Sequence, residues 1–247
     1  MPASSLTTGE IEYTVRVSTR AKRLQVRISP LCEVEVILPH RMSPRHVAPF
    51  VDQNRCWIAE TRERLMAERG YCAGMERILP GRIGLPAIGK SYSVHFHPGA
   101  VSRLCIAHLP GDDPVIKLTA SDEHGACEKL QDWLTRQARS HLPPWLQAVS
   151  RDLGISYGKV SIRAQKTRWG SCSTKGTISL NRALLFLEPH LVRYLMIHEL
   201  CHRVHMNHSS RYWRLVARFA PEYRDYEKQL NRAAQAIPPW SLRRMVP

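Results

Sequence analysis

Residues 188–202 read Glu188-Pro189-His190-Leu191-Val192-Arg193-Tyr194-Leu195-Met196-Ile197-His198-Glu199-Leu200-Cys201-His202, and they decide the fold class and the chemistry together. Pro189 suits the first turn of a helix, where its missing N–H costs nothing. Leu191, Leu195, Met196, Leu200 and Val204 then recur at helical spacing. On that helix His198 and His202 stand four residues apart and share a face, so two imidazoles can grip one metal ion. Glu199 follows the first histidine directly, where it can take a proton from a water held at the same ion. A chance H-E-x-x-H would leave both histidines as hydrogen-bonded core residues or as exposed ones. The apolar helix weighs against it, since an unpaired buried carboxylate costs several kcal/mol. The residues thus predict a catalytic zinc site with Glu199 as its base.

A third ligand has to come from downstream, where His205, His208, Glu222 and Glu227 are available. His205 lies seven residues beyond His198, roughly 10 Å along the axis at ~1.5 Å rise per residue. His208 follows Met206-Asn207, where the helix can end and a turn can fold back over the metal. His208 is the preferred ligand, and His205 is expected to cap the helix end, line the cleft or be exposed.

Outward from this helix the chain divides by period. Up to about residue 120 it alternates as strands do: Tyr13–Val17, Leu24–Ile28, Val34–Leu38, Ser91–His97, and segments near 101–107 and 114–118. One helix interrupts them, opening at Ser43-Pro44 and running to about Arg69 through Val47, Phe50, Val51, Trp57 and Ile58. From Asp122 to Leu153 a helical pattern takes over, which Pro143-Pro144 is expected to break or kink and Gly154 to cap. Short strands at 159–164 and 177–181 follow, then the H-E-x-x-H helix, helices near 209–219 and 221–235, and an irregular tail from Ile237. The expected architecture is α+β: an N-terminal β-rich region over 1–120 and a metal-binding domain over 121–247. No internal repeat is visible in the letters. Gly84-Leu85-Pro86-Ala87-Ile88-Gly89-Lys90-Ser91 matches the phosphate-binding pattern G-x-x-x-x-G-K-S. That loop needs a helix after Lys-Ser, and here a strand follows.

Of 247 residues, 36 are Lys or Arg and 21 are Asp or Glu, a net +15. No acid occurs between Asp152 and Glu188, while Lys159, Arg163, Lys166, Arg168, Lys175 and Arg182 do. Such a field attracts nucleic acid or acidic substrates, or it is a solvated surface that aids solubility. It leaves a non-enzymatic nucleic-acid-binding protein with a structural metal as the rival, or a peptidase recruited to DNA. No apolar run approaches the roughly 18 residues that span a bilayer, and the first residues lack the apolar core of a secretory signal. Seven dispersed cysteines without a C-x-x-C pair suit reduced thiols in a cytoplasm. Oligomeric state is not legible.

Arg168-Trp169-Gly170-Ser171-Cys172, Ile178-Ser179-Leu180-Asn181, the H-E-x-x-H and then Asn207-His208-Ser209 with Tyr212-Trp213 resemble the YgjP-type (DUF45) metallopeptidases, related to the SprT-like and WLM groups. Arg20-Ala21-Lys22-Arg23, Phe50-Val51, Trp57-Ile58 and Ile88-Gly89-Lys90 with Tyr92 extend the likeness over roughly Tyr13 to Leu230. The resemblance implies a minimal zincin-like domain, zinc on His198, His202 and His208, Glu199 as base, and a peptide or protein substrate. It also implies a strand, ending in Asn181, beside which an extended peptide could add. Tyr212 stands where the family often has Phe. Arg168 and Trp169 are candidate cleft residues, with Asn181 and His205. Arg168 could meet a developing oxyanion or simply be a surface charge, whereas a core role suits Trp169 better. Cys172 and Cys201 are expected to be inert buried thiols.

Overall fold

The computed structural model describes residues 5–8, 11–28, 32, 34–69, 79–108, 113–165 and 168–242. The chain is mixed α/β and divides into two compact units, Met1–Glu76 with Arg244–Pro247, and Arg77–Arg243.

In the first unit, β1 (Ser5–Thr8), β2 (Ile11–Ser18), β3 (Gln25–Ile28) and β4 (Val34–Pro39) form a sheet of order β1-β2-β4-β3. Alternation along the strands sends Ile11, Tyr13, Val34, Val36 and Leu38 to one face, where they meet Val47, Val51 and Ile58. Those last three lie on α1 (Val47–Gln53) and α2 (Arg55–Arg69). The single helix expected there is two, because Asn54 leaves helical geometry and its side-chain amide donates to the Phe50 carbonyl at 2.8 Å. Trp57, on α2, is 47% exposed.

The second unit begins with another four-stranded sheet: β5 (Arg82–Leu85), β6 (Lys90–Pro98), β7 (Arg103–Ala107) and β8 (Val115–Ala120), in order β5-β6-β8-β7. This repeats the first sheet. In both, the first strand pairs antiparallel with the second, the second parallel with the fourth, and the third antiparallel with the fourth. Tyr13 and Tyr92, Val36 and Ile116, and Leu38 and Leu118 are buried at corresponding places. The phosphate-loop lookalike runs from the end of β5 through a short 3-10 turn and Gly89, whose φ of 60° is left-handed, into β6. No helix follows it.

Residues 77–120 belong by packing with the unit Arg77–Arg243, whereas the sequence grouped them with the N-terminal strands. Ile83, Tyr92, Val94, Ile116 and Leu118 share one core with Leu130, Trp133 and Leu134 of α3 (Glu123–Leu153). Helix α3 stays helical through Pro143 and Pro144. The prolines free the carbonyls of Arg139 and Ser140, both exposed to water, while Leu142 and Leu146 on the opposite side stay fully buried. Beyond α3 lie β9 (Val160–Arg163), β10 (Gly170–Cys172) and β11 (Ile178–Asn181), in order β10-β11-β9. Three helices follow: α4 (Pro189–Cys201), α5 (Ser210–Phe219) and α6 (Tyr223–Ala233).

Residues 240–242 are fastened to α3 and to Arg182. Arg182, 6% exposed, donates to the Gln131 carbonyl at 2.9 Å, Thr135 Oγ1 at 2.8 Å and the Ser241 carbonyl at 2.8 Å. Gln131 in turn donates to the carbonyls of Trp240 and Leu242. One member of the acid-free basic stretch is therefore a structural core residue and not part of a charged surface. Arg182→Met should strand these buried acceptors and cost about 3 kcal/mol, read as a fall of roughly 6–12 °C in the thermal unfolding midpoint.

Candidate metal centre

Helix α4 carries the first histidine and the glutamate, and ends so that the second histidine caps it. His202 follows Cys201 with φ −65° and ψ −16°, still helical, so its ring stays on the face of His198 with centroids 5.1 Å apart. The chain then turns through residues 203–207 and re-enters a helix at Ser209, whose hydroxyl accepts from the Tyr212 N–H. That turn carries His208 back. One nitrogen each from His198, His202 and His208 lies within 4.8 Å of the others, and His198 Nε2 and His208 Nε2 are 3.3 Å apart. The ring of His205 does not join them; its carbonyl accepts from His202 Nδ1 at 3.2 Å instead.

Each ring is held from outside the cluster. His202 stacks on Tyr212 at 4.5 Å and His208 on Trp213 at 5.5 Å, while Trp213 stacks on Tyr223. Tyr212 also donates from its hydroxyl to the His198 carbonyl at 3.1 Å. Burial, then the neighbouring His202 and His208, hold His198 far below its ordinary pKa, at about 3. Burial first, and then the His208 ring, also depress His202, opposed by its hydrogen bond to the His205 carbonyl. Neutral imidazoles are the form that binds metal.

Glu199 is 4% exposed, and burial pushes its carboxyl up to about 8, opposed by the Arg168 guanidinium. Its Oε2 and the Nδ1 of His198 are buried without a hydrogen-bond partner. Three imidazole nitrogens converging beside a buried carboxyl with one orphaned oxygen fit a divalent metal and a water better than they fit a closed polar core. Glu222 and Glu227 do not complete a four-ligand set. Glu222 accepts from the Tyr226 hydroxyl. Glu227 Oε1 lies 3.6 Å from His198 Nδ1, the side of the ring away from the cluster, and accepts from Tyr194 at 2.6 Å. Among the described residues the three histidines stand without a fourth ligand.

Strand β10 passes beneath Glu199, and Gly170 is what permits it. A Cβ there would meet Glu199 Oε1 at 2.6 Å and Cγ at 2.9 Å. The sequence motif contained this glycine, but only the approach of strand to helix explains it. Trp169 packs against the core and donates to the Leu230 carbonyl. Asn181 ties the chain before β10: its amide donates to the carbonyls of Gln165 and Arg168, and its Oδ1 accepts from the Ala183 N–H. The strand ending in Asn181 has both edges paired, to β10 and to β9, so no peptide can add there. The edge beside Glu199 is that of β10. The Asn181 N–H donates to Trp169 and the Ser173 N–H to Thr177, so residues 169, 171 and 173 turn their backbone towards β11. Gly170 and Cys172 turn theirs away from it. Arg168 is exposed. Cys201 is fully buried, and burial pushes its thiol up to about 12; Cys172 is partly buried.

A family model described as the YgjP-like metallopeptidase domain matches residues 22–233. The chain belongs to the YgjP-like metallopeptidase family. It is a metal-dependent peptidase, and the family match carries that assignment. Two solved structures are similar over a short stretch. The crystal structure of the metallopeptidase zymogen of Pyrococcus abyssi abylysin is 35% identical, over 36% of this chain and 90% of its own, with a TM-score of 0.33. That of Methanocaldococcus jannaschii jannalysin is 20% identical, over 37% of this chain and 95% of its own, with a TM-score of 0.34. No curated protein matches the chain. Among the described residues no helix is long and apolar enough to cross a membrane.

Proposed function

We propose that the chain is a zinc peptidase that cleaves amide bonds in peptides or proteins, with His198, His202 and His208 as ligands and Glu199 as general base. The observation that carries this reading is the convergence of three imidazoles beside the buried carboxyl of Glu199, whose Oε2 has no hydrogen-bond partner. When bound, zinc would supply Lewis acidity, polarising a carbonyl and acidifying water.

The protein's own residues do the rest. Glu199 takes a proton from the attacking water and returns it to the leaving amine. With no metal bound, burial raises its proton affinity, and a divalent cation beside it would draw that affinity back down and favour the carboxylate that accepts the proton. Arg168, the cation that acts on Glu199, is suited to meet negative charge developing on the carbonyl oxygen. A substrate held in extended form can pair with the outward N–H and C=O groups of Gly170 and Cys172, which would bring its backbone alongside Glu199. Cys56, Cys105, Cys172 and Cys201 carry free thiols, in keeping with a cytoplasmic protein. Recruitment to DNA has no particular geometric feature in its favour.

The test is metal per chain by elemental analysis on protein purified without a histidine tag, paired with hydrolysis of a peptide library. Wild type should hold about one zinc, and His208→Ala should lose most of it together with cleavage. A wild-type protein that is folded, takes up no zinc when it is supplied and cleaves nothing would sink the reading.

A further inference from the structure

The three histidines differ in what holds the nitrogen that faces away from the cluster. His202 Nδ1 meets the neutral carbonyl of His205, and His208 is held by stacking on Trp213. His198 Nδ1 is buried and has no backbone acceptor. The acceptor that faces it is a carboxylate, Glu227 Oε1 at 3.6 Å, brought in by α6. That same oxygen accepts from the Tyr194 hydroxyl at 2.6 Å. Tyr194 precedes His198 by one helical turn on α4, is 1% exposed, and sets its ring edge-on to the imidazole at 6.2 Å. A carboxylate 39% exposed on its side chain would ordinarily swing into water. Here a buried phenol pins it.

We propose that Tyr194 and Glu227 are a positioning pair for the metal site. Tyr194 fixes the Glu227 carboxylate, and the carboxylate accepts the Nδ1 proton of His198. That selects the tautomer with its lone pair on Nε2, aims the ring at the cluster and makes it a stronger donor. A contraction of a few tenths of an ångström brings Nδ1 and Oε1 into hydrogen-bond range. Outer partners of this kind are worth 10- to 100-fold in metal affinity. The inference rests on the three-histidine reading and adds to it two residues that touch neither metal nor substrate. It also converts Glu227 from a candidate ligand into the support of one.

The experiment measures zinc affinity of the full-length chain by competition with a chromogenic chelator, for wild type, Glu227→Ala, Glu227→Gln and Tyr194→Phe. The electronic spectrum of each cobalt-substituted protein is recorded beside it. Glu227→Ala should bind zinc about 10- to 100-fold more weakly. Glu227→Gln, which keeps an acceptor oxygen but loses the charge, should fall between. Tyr194→Phe, which keeps the ring and frees the carboxylate, should lose several-fold. The cobalt band should shift in Glu227→Ala. Zinc affinity within about twofold of wild type in Glu227→Ala overturns the proposal, as does a lowered unfolding midpoint of the metal-free variants with affinity unchanged. Failure of the three-histidine reading appears elsewhere, as a wild-type protein that binds no zinc, and would take this inference down with it.

Discussion

Glu199→Gln is expected to lower peptide hydrolysis by about 10²- to 10⁴-fold, the range for loss of a positioned general base, while zinc content stays near that of wild type. The amide has the shape of the carboxylate and cannot accept the proton. Retention of full hydrolysis on a verified substrate would remove Glu199 as the base. The same substitution should change stability in a direction set by burial. In the metal-free protein the folded-state pKa of Glu199 is raised to about 8, so the unfolded chain releases this proton first. Its contribution is fully present below about pH 4.5 and is lost as pH rises towards 8. Glu199→Gln removes that loss. The metal-free variant should therefore unfold at a higher temperature than metal-free wild type near pH 8, by a difference on the order of a few kcal/mol, and the gap should close towards pH 5. His198, depressed to about 3, acts on the other side: its contribution is present above about pH 6.5 and is lost as pH falls towards 3. Comparing the two proteins at each pH cancels that effect and isolates the glutamate.

Gly170→Ala is expected to be the most damaging substitution that replaces no ligand and no reacting group. The added Cβ would sit 2.6 Å from Glu199 Oε1, 2.9 Å from Cγ and 3.0 Å from Cδ, well inside van der Waals contact. The strand is pinned by its pairing to β11, so the glutamate has to move. A displacement of about 1 Å in a catalytic group can cost 10²-fold, and overpacking of this kind costs roughly 1–3 kcal/mol of stability. The decisive comparison is a double-mutant cycle on kcat/KM. Placed on Glu199→Gln, the alanine should cost little more, because the group it displaces no longer acts. Losses that simply multiply would mean that Gly170 acts through something other than Glu199. Zinc content should survive in both backgrounds, since the three histidines lie on α4, at its end and in the following turn.

Much of the catalytic half was legible because its signal is local. His198, Glu199 and His202 fall on one helix, where spacing alone decides the face. His208 was reachable because Met206-Asn207-His208-Ser209 reads as a helix end followed by a new N-cap. The alternating strands were legible for the same reason. Their third dimension was not. The two sheets share one topology, yet the shared feature is a period-2 pattern with few common letters, Tyr13 with Tyr92 and Arg23-Leu24 with Arg103-Leu104 among them. Any strand carries such a pattern, so repetition of it did not register as a repeat. The short strands β1, β5 and β10 were missed because three or four residues give too little alternation to read.

What the sequence determined by itself is which groups share one face of α4, His198 and His202 with Glu199 beside them, and so the chemistry they could offer, because that follows from contacts three and four residues apart. Only the tertiary structure decided how that chemistry is supported. It set Glu227 beside His198 Nδ1 and outside the three-histidine cluster, Gly170 beneath Glu199, and Arg182 in the core of what had read as a basic surface. It also left β10, not the strand of Asn181, as the edge beside Glu199. Each of these depends on residues that come together from different elements. At such a contact the side chain's role is set by what packs against it, and no spacing along the chain records that.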